Sequence, residues 1–359
     1  MTYTGTPARV AIAGTGWRAE FFMRICAALP ERFELCGIMY HSDRGRASVE
    51  ALGVPLVSTL EELAALRPEY MVLSLKGVAM FDAMRFCAER GIPALCETFP
   101  ARTVDELNEM YALLRGARIQ FAEQYQFQPL NAARLALAHS GALGQVYHVR
   151  MSIPTRYHPI SLMRLALSAG QRLPVITARA WSHAVLRGPG RAGDPTGEGE
   201  FAARQEVVTL DYGDMQAVND FEDMQHRSFM RSNYFLIRGG RGEIVNERAT
   251  WMIDPLTPCN VELKREMAGA GVDLQGLFLR GVSGGAMGWL YRSRFMPARL
   301  YDDELAVAEC MARMTDYARG GAGFWGLEDE FTDMYFAILT GVALDSGDAI
   351  RARRQTWMD

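Results

Sequence analysis

The chain predicts two domains: an α/β N-terminal domain with a doubly wound parallel sheet, then an α+β domain with an open, mainly antiparallel sheet. Three observations carry this reading. Over residues 1–125 short apolar strands alternate with helical patterns, as right-handed crossovers between parallel strands require. Val10-Ala11-Ile12-Ala13 runs straight into Gly14-Thr15-Gly16 and then into an amphipathic stretch, Ala19 to Leu29. Beyond Gly144 the pattern changes to successive strands joined by tight turns.

In order, strand Val10–Ala13 precedes a helix from Arg18, and strand Leu35–Tyr40 a helix from Arg44. Strand Tyr70–Leu75 precedes a helix from Met80, Ala94–Glu97 a helix from Val104, and Ile119–Glu123 follows. Pro55, Pro68 and Pro93 fall between these elements, where a missing N–H costs least. A helix over Asn131–His139 leads through the turn-rich Gly141–Gly144 to a strand over Gln145–Ile153. Further strands are expected over Val175–Ser182, Gln205–Tyr212, Gln216–Met224, Tyr234–Arg238, Glu243–Asn246 and Thr250–Ile253. Helices from His158, Asp302 and Glu328 are expected to cover one face of that sheet, and Arg187–Glu200, rich in Gly and Pro, reads as a mobile loop.

Composition narrows the function classes. The 359 residues are 49% hydrophobic, enough to bury a core in each of two domains. A net charge of −4 and no block of like charge give no basic field for nucleic acid and no membrane-binding face. With no 18-residue apolar run and no signal-like start, a cytoplasmic protein is expected. The 6 cysteines lack C-x-x-C spacing, so neither disulfides nor a metal site is indicated. Among 38 basic residues only Lys76 and Lys264 are lysines, which leaves few candidates for lysine chemistry.

The turn Gly14-Thr15-Gly16-Trp17-Arg18-Ala19 fits a dinucleotide. Gly14 permits the tight strand-to-helix turn, Gly16 lets backbone N–H groups approach a pyrophosphate, and Ala19 is the third small residue. The second strand ends Met39-Tyr40-His41-Ser42-Asp43-Arg44, without an acid at Tyr40 or His41 to bind a ribose 2′-hydroxyl. Ser42 and Arg44 suit a 2′-phosphate, so the reading leans to NADP over NAD, with Asp43 able to serve NAD instead. Ser74, Leu75 and Lys76 end the Tyr70 strand at the sheet edge where ligands bind, and Lys76 is a candidate for the cofactor phosphates, the ribose or the nicotinamide.

Several motifs, in order along the chain, resemble the Gfo/Idh/MocA family, the glucose-fructose oxidoreductase and inositol dehydrogenase group. Beside the Gly14 turn these are Cys96-Glu97-Thr98-Phe99-Pro100, where that family usually has C-E-K-P, and Ala122–Pro129, where it often has a-E-N-x-R-x-x-P. Ser140–Val146 and His158–Arg164 complete the set, and Leu75–Met80 stands where T-P-N-x-x-H is usual. The resemblance implies a Rossmann domain over 1–125 and a substrate-binding and oligomerisation domain over 126–359. It also implies hydride transfer to or from a sugar, polyol or related hydroxy compound, in a homodimer or homotetramer.

The resemblance further implies that a lysine, an Asp and a His handle the substrate proton; here Thr98 replaces the lysine, Pro154 stands where the Asp would lie, and His158 alone matches. General acid–base help contributes about 10²–10⁴-fold, and a threonine hydroxyl can hydrogen-bond but is no useful acid near neutral pH. His158 is therefore the expected proton-transfer group, with Lys76 and Thr98 as helpers. Glu97 and Gln124 match positions near the nicotinamide ribose. Arg156, Tyr157, Arg164 and Tyr335 are candidates for the substrate. The altered motif leaves two alternatives open: cofactor-assisted glycoside cleavage without net redox change, and a non-catalytic nucleotide- or sugar-binding protein.

Overall fold

The computed structural model describes residues 5–98, 101–154, 156–190, 193–270 and 273–358. Phe99 and Pro100 of the Cys96–Pro100 motif, and two residues of the Arg187–Glu200 loop, lie outside them.

The N-terminal elements are β1 (Ala8–Ala13), α1 (Trp17–Ala28), β2 (Phe33–Met39), α2 (Asp43–Val49), β3 (Leu56–Val57), α3 (Leu60–Ala65), β4 (Tyr70–Leu73), α4 (Val78–Arg90), β5 (Ala94–Cys96), α5 (Val104–Leu114), β6 (Ile119–Phe121) and α6 (Pro129–His139). The strands form a six-stranded sheet of order β3-β2-β1-β4-β5-β6 in parallel pairs, the doubly wound arrangement that the alternation predicts. The sequence reading omitted β3 and α3, although α3 opens with a complete capping box between Thr59 and Glu62.

Next come β7 (Val146–Met151), α7 (Tyr157–Leu167), β8 (Val175–Leu186), β9 (Glu200–Asp211), β10 (Gln216–Glu222), β11 (Phe235–Gly239), β12 (Gly242–Val245), β13 (Arg248–Asp254) and β14 (Thr257–Glu262). The chain continues through β15 (Lys264–Ala270), β16 (Asp273–Ser283), β17 (Trp289–Arg292), α8 (Asp302–Ala318), α9 (Leu327–Ser346) and β18 (Ile350–Arg351). A nine-stranded sheet runs β14-β13-β12-β11-β7-β10-β9-β8-β18. Its pairs are antiparallel except β7 with β10, so the sheet is mainly antiparallel, as the tight turns imply. Helix α7 packs on β7 and β10, burying Ile160, Leu162, Met163 and Ala166.

The chain divides into two compact units that do not follow the expected break at residue 125. The first holds Met1–Asn131, Arg265–Gly281 and Tyr291–Phe331; the second holds Ala132–Lys264, Val282–Leu290 and Thr332–Asp359. Helix α8 is the reason. The sequence reading placed it on the second sheet, but it packs on α1, β4 and β5 of the first. Its Leu305, Val307, Cys310, Met311 and Met314 share one core with Ile12, Phe22, Ile25, Tyr70 and Val72. The Tyr70 hydroxyl donates to the Met311 carbonyl at 3.2 Å within that core. An apolar stripe shows that a helix is covered, not which sheet covers it.

Five of the cysteines are buried and Cys259 is partly so, all as free thiols. Burial pushes the Cys26 and Cys87 thiols up to about 12, the behaviour of inert packing groups. Among the described residues there is no His/Cys/Asp/Glu group able to hold a metal, and no helix long and apolar enough to cross a membrane.

Candidate functional site

In the first unit the site begins at the β1–α1 turn. Gly14 has φ +121°, and a Cβ there would lie 2.4 Å from the Ser74 carbonyl oxygen, so only glycine lets β1 leave the sheet this close to the end of β4. Gly16 caps α1 with no side-chain hydrogen bond, and a Cβ on it would meet nothing within 4 Å. An uncapped helix start beside open space is the surface that a pyrophosphate requires. Trp17 is exposed beside the turn, its ring edge-on to Phe21 with centroids 5.0 Å apart.

Arg18 and Glu97 meet at the sheet edge. Arg18 Nε donates to Glu97 Oε1 at 2.8 Å, and the two side chains are 16% and 15% exposed. Burial pulls the guanidinium down, but the Glu97 charge and hydrogen bond outweigh it and raise Arg18 above its usual value, so it stays cationic. Two buried polar atoms at this edge, Arg18 Nη2 and Gln124 Oε1, have no hydrogen-bond partner among the described residues. Buried polar atoms are nearly always satisfied, so each is open to a partner that a bound nucleotide can supply. The glycine cradle and these two atoms fit a nicotinamide dinucleotide.

Glu97 and Thr98 directly follow β5 and are partly buried. The Glu97 N–H donates to the Leu73 carbonyl at 2.9 Å, which sets the β5 end beside that of β4. Ser74 and Leu75 are partly buried and Lys76 is exposed in the β4–α4 connection. A cleft of about 460 Å³ lies beside Gly77, Val78 and Arg102 and has none of the sequence-predicted site residues in its lining.

At the end of β2, Tyr40 is partly buried and His41, Ser42 and Arg44 are exposed. The Ser42 hydroxyl oxygen accepts from the Gly45 N–H at 3.2 Å and caps α2. A Cβ on Gly45 would lie 2.4 Å from Thr15 Oγ1, so α2 touches the glycine turn. Arg46, which the sequence reading did not single out, lies over the Tyr40 ring at 5.8 Å.

In the second unit Tyr157 and His158 occupy the first turn of α7, their rings 4.4 Å apart. His158 is buried and its carbonyl accepts from the Ser161 hydroxyl at 2.9 Å. The helix starts at Tyr157, one residue before the His158 start expected from sequence, so His158 lies inside its first turn. Arg156 is half-exposed and pairs with Glu206, Nε to Oε1 at 3.3 Å.

Arg164 and Tyr335 occupy interior positions. Arg164 is buried, ion-paired with the buried Asp333, and donates Nε and Nη2 to the Gly170 carbonyl at 3.0 and 2.9 Å just past the helix end. Tyr335 is buried against Trp357, and its hydroxyl accepts from the Arg353 N–H at 2.8 Å. These contacts hold α7 and the chain end in place. Sequence reasoning missed Asn219 on β10, which anchors Ile153 ahead of α7 through its side-chain amide.

Known proteins share this plan. Residues 8–125 match the family model described as "Oxidoreductase family, NAD-binding Rossmann fold". Similar solved structures include a myo-inositol dehydrogenase from Corynebacterium glutamicum, 18% identical, covering 97% of this chain and 100% of that one with TM-score 0.66. A levoglucosan dehydrogenase in complex with NADH and levoglucosan is 14% identical, covering 97% and 100%, with TM-score 0.67. A putative NADPH-dependent oxidoreductase from Desulfitobacterium hafniense is 12% identical, covering 96% and 98%, with TM-score 0.65. At these identities the likeness is one of fold. No curated protein matches the chain by sequence. Residues 8–125 thus form a domain of the kind that the Gfo/Idh/MocA oxidoreductase family model describes, an NAD-binding Rossmann fold.

Proposed function

We propose that the protein is an NAD(P)-dependent oxidoreductase that moves hydride to or from a sugar, polyol or related hydroxy compound, working as a homodimer or homotetramer. The observation that carries this is the Gly14–Gly16 cradle within a domain matching an NAD-binding family. Named activities of similar folds, on myo-inositol and levoglucosan, support the substrate class.

Gly14 to Ala19 hold the pyrophosphate, with Trp17 and Arg18 beside it. Tyr40, His41, Ser42 and Arg44 line the adenosine end, and Ser74, Leu75, Lys76, Glu97, Thr98 and Gln124 the nicotinamide half. The absence of an acid at Tyr40 and His41, with Arg44 and Arg46 close by in sequence, favours NADP over NAD. Bound nicotinamide supplies the hydride donor or acceptor. His158 takes or returns the hydroxyl proton, a task an imidazole performs near neutral pH. Thr98 and Lys76 hydrogen-bond the reacting oxygen or the cofactor, and Arg156 and Tyr157 contact the substrate.

Thr98 in place of lysine, with Pro154 in place of Asp, favours a second reading: a tightly kept cofactor used without net turnover, or binding alone. Calorimetric titration with NAD⁺, NADH, NADP⁺ and NADPH, after a check for copurified nucleotide, tests both. Micromolar binding followed by NAD(P)H formation with a polyol supports the dehydrogenase. Retained cofactor without net NAD(P)H supports the second reading, and no binding of any of the four overturns both.

A further inference from the structure

We propose that the Arg18–Glu97 ion pair sets which oxidation state of a nicotinamide the protein prefers, Arg18 counteracting the attraction of Glu97 for the cationic oxidised ring. The inference rests on the dinucleotide reading above. In a sheet of order β3-β2-β1-β4-β5-β6 each half binds one mononucleotide, and the first half, β1 to β3, carries the adenosine residues just after β2. Glu97 follows β5, the middle strand of the second half, and Arg18 lies on the first turn of α1 beside the pyrophosphate turn. The pair therefore lies where the nicotinamide mononucleotide leaves the pyrophosphate.

Its surroundings make the charges count. Both side chains are about 85% buried, and Arg18 is shielded on one side by the Phe21 ring at 4.8 Å. Asp303 lies close enough to favour the charged guanidinium further. Fixed charges so little screened act over several ångströms. The oxidised ring carries a positive charge and the reduced ring none, so a carboxylate alone favours NAD⁺ and a guanidinium alone favours NADH. Together they nearly cancel, and Arg18 Nη2 is buried and without a partner among the described residues, a donor left over from the ion pair. Arg18 cannot give up its proton, so it acts by charge and position, as a positioning residue.

Fluorescence and calorimetric titrations at pH 8 with oxidised and reduced forms of the cofactor that binds give the ratio of their dissociation constants without any substrate. Arg18→Met leaves Glu97 alone and is expected to shift the ratio about tenfold toward the oxidised form. Glu97→Gln is expected to shift it about tenfold the other way, each tenfold being about 30 mV for a two-electron couple. The double variant returns toward the wild type, and Arg18→Lys stays within about twofold of it. If Arg18→Met fails to fold, the Glu97→Gln shift decides alone. Variants that weaken both forms by one factor show a merely structural pair and overturn the proposal while the dinucleotide reading stands. A wild type that binds no dinucleotide overturns both.

Discussion

Asn219 clamps Ile153 by both ends of its side-chain amide. Its Oδ1 accepts from the Ile153 N–H at 3.0 Å and its Nδ2 donates to the Ile153 carbonyl at 3.2 Å. Asn219 is buried, and so is Ile153, four residues ahead of the first residue of α7. A residue 66 positions away in sequence thus fixes where the chain turns toward His158.

Replacing this amide with an isosteric apolar group strands a buried N–H and a buried carbonyl. Asn219→Leu is expected to lower stability by about 2 kcal/mol, since a buried polar group left without a partner costs about 1–3 kcal/mol. Urea denaturation measures it. The same variant should lower kcat on the substrate while leaving dinucleotide affinity unchanged, because the Gly14 turn belongs to the other unit. Unchanged stability would mean that the chain before α7 is held by other contacts.

Acid sensitivity has a specific source in the first unit. Glu69 accepts from Arg319 Nε at 2.8 Å and Nη2 at 3.1 Å, and these hydrogen bonds hold its carboxyl below the ordinary glutamate range. A carboxylate whose folded pKa lies below its unfolded one contributes stability above the unfolded value, about 4.3, and loses it as pH falls through the folded one. Both side chains are about one-third exposed, so solvent screening limits the effect to at most about 1 kcal/mol. Thermal melts from pH 6 to pH 3 should show a smaller acid loss for Glu69→Gln than for the wild type. Parallel curves would remove Glu69 from the account.

Much of the fold was legible because local chemistry repeats along the chain. The glycine turn, the strand alternation and the change of pattern after Gly144 each depend on residues close together in sequence, and each appears in the structure. Short β3, with only Leu56 and Val57, carries too little periodicity to be seen, whereas the Thr59–Glu62 box beside it was available as a signal. The packing of α8 on the first sheet, the Asn219 clamp and the Arg164–Asp333 pair are long-range choices. Two partners far apart in sequence share no pattern that one chain reveals. At the site, the sequence named both Arg18 and Glu97 but not their pairing, which depends on helix α1 and the β5 end meeting in space.

The two glycines of the turn should fail in different ways. Gly14 sits at φ +121°, with the Ser74 carbonyl oxygen 2.4 Å from where a Cβ would lie. Gly14→Ala therefore strains the backbone and forces β1 from β4, and should cost about 1–3 kcal/mol as well as dinucleotide binding. Gly16 has φ −78° and ψ 171°, a region open to any residue, and its Cβ position faces empty space. Gly16→Ala should leave the unfolding free energy within about 0.5 kcal/mol. It should nevertheless weaken dinucleotide binding about tenfold or more, because the methyl group fills the space through which backbone N–H groups approach a pyrophosphate. Chemical denaturation paired with dinucleotide titration separates the two effects. A Gly16→Ala protein that binds as tightly as the wild type would show that the pyrophosphate does not approach α1 at this turn, whatever happens at Gly14.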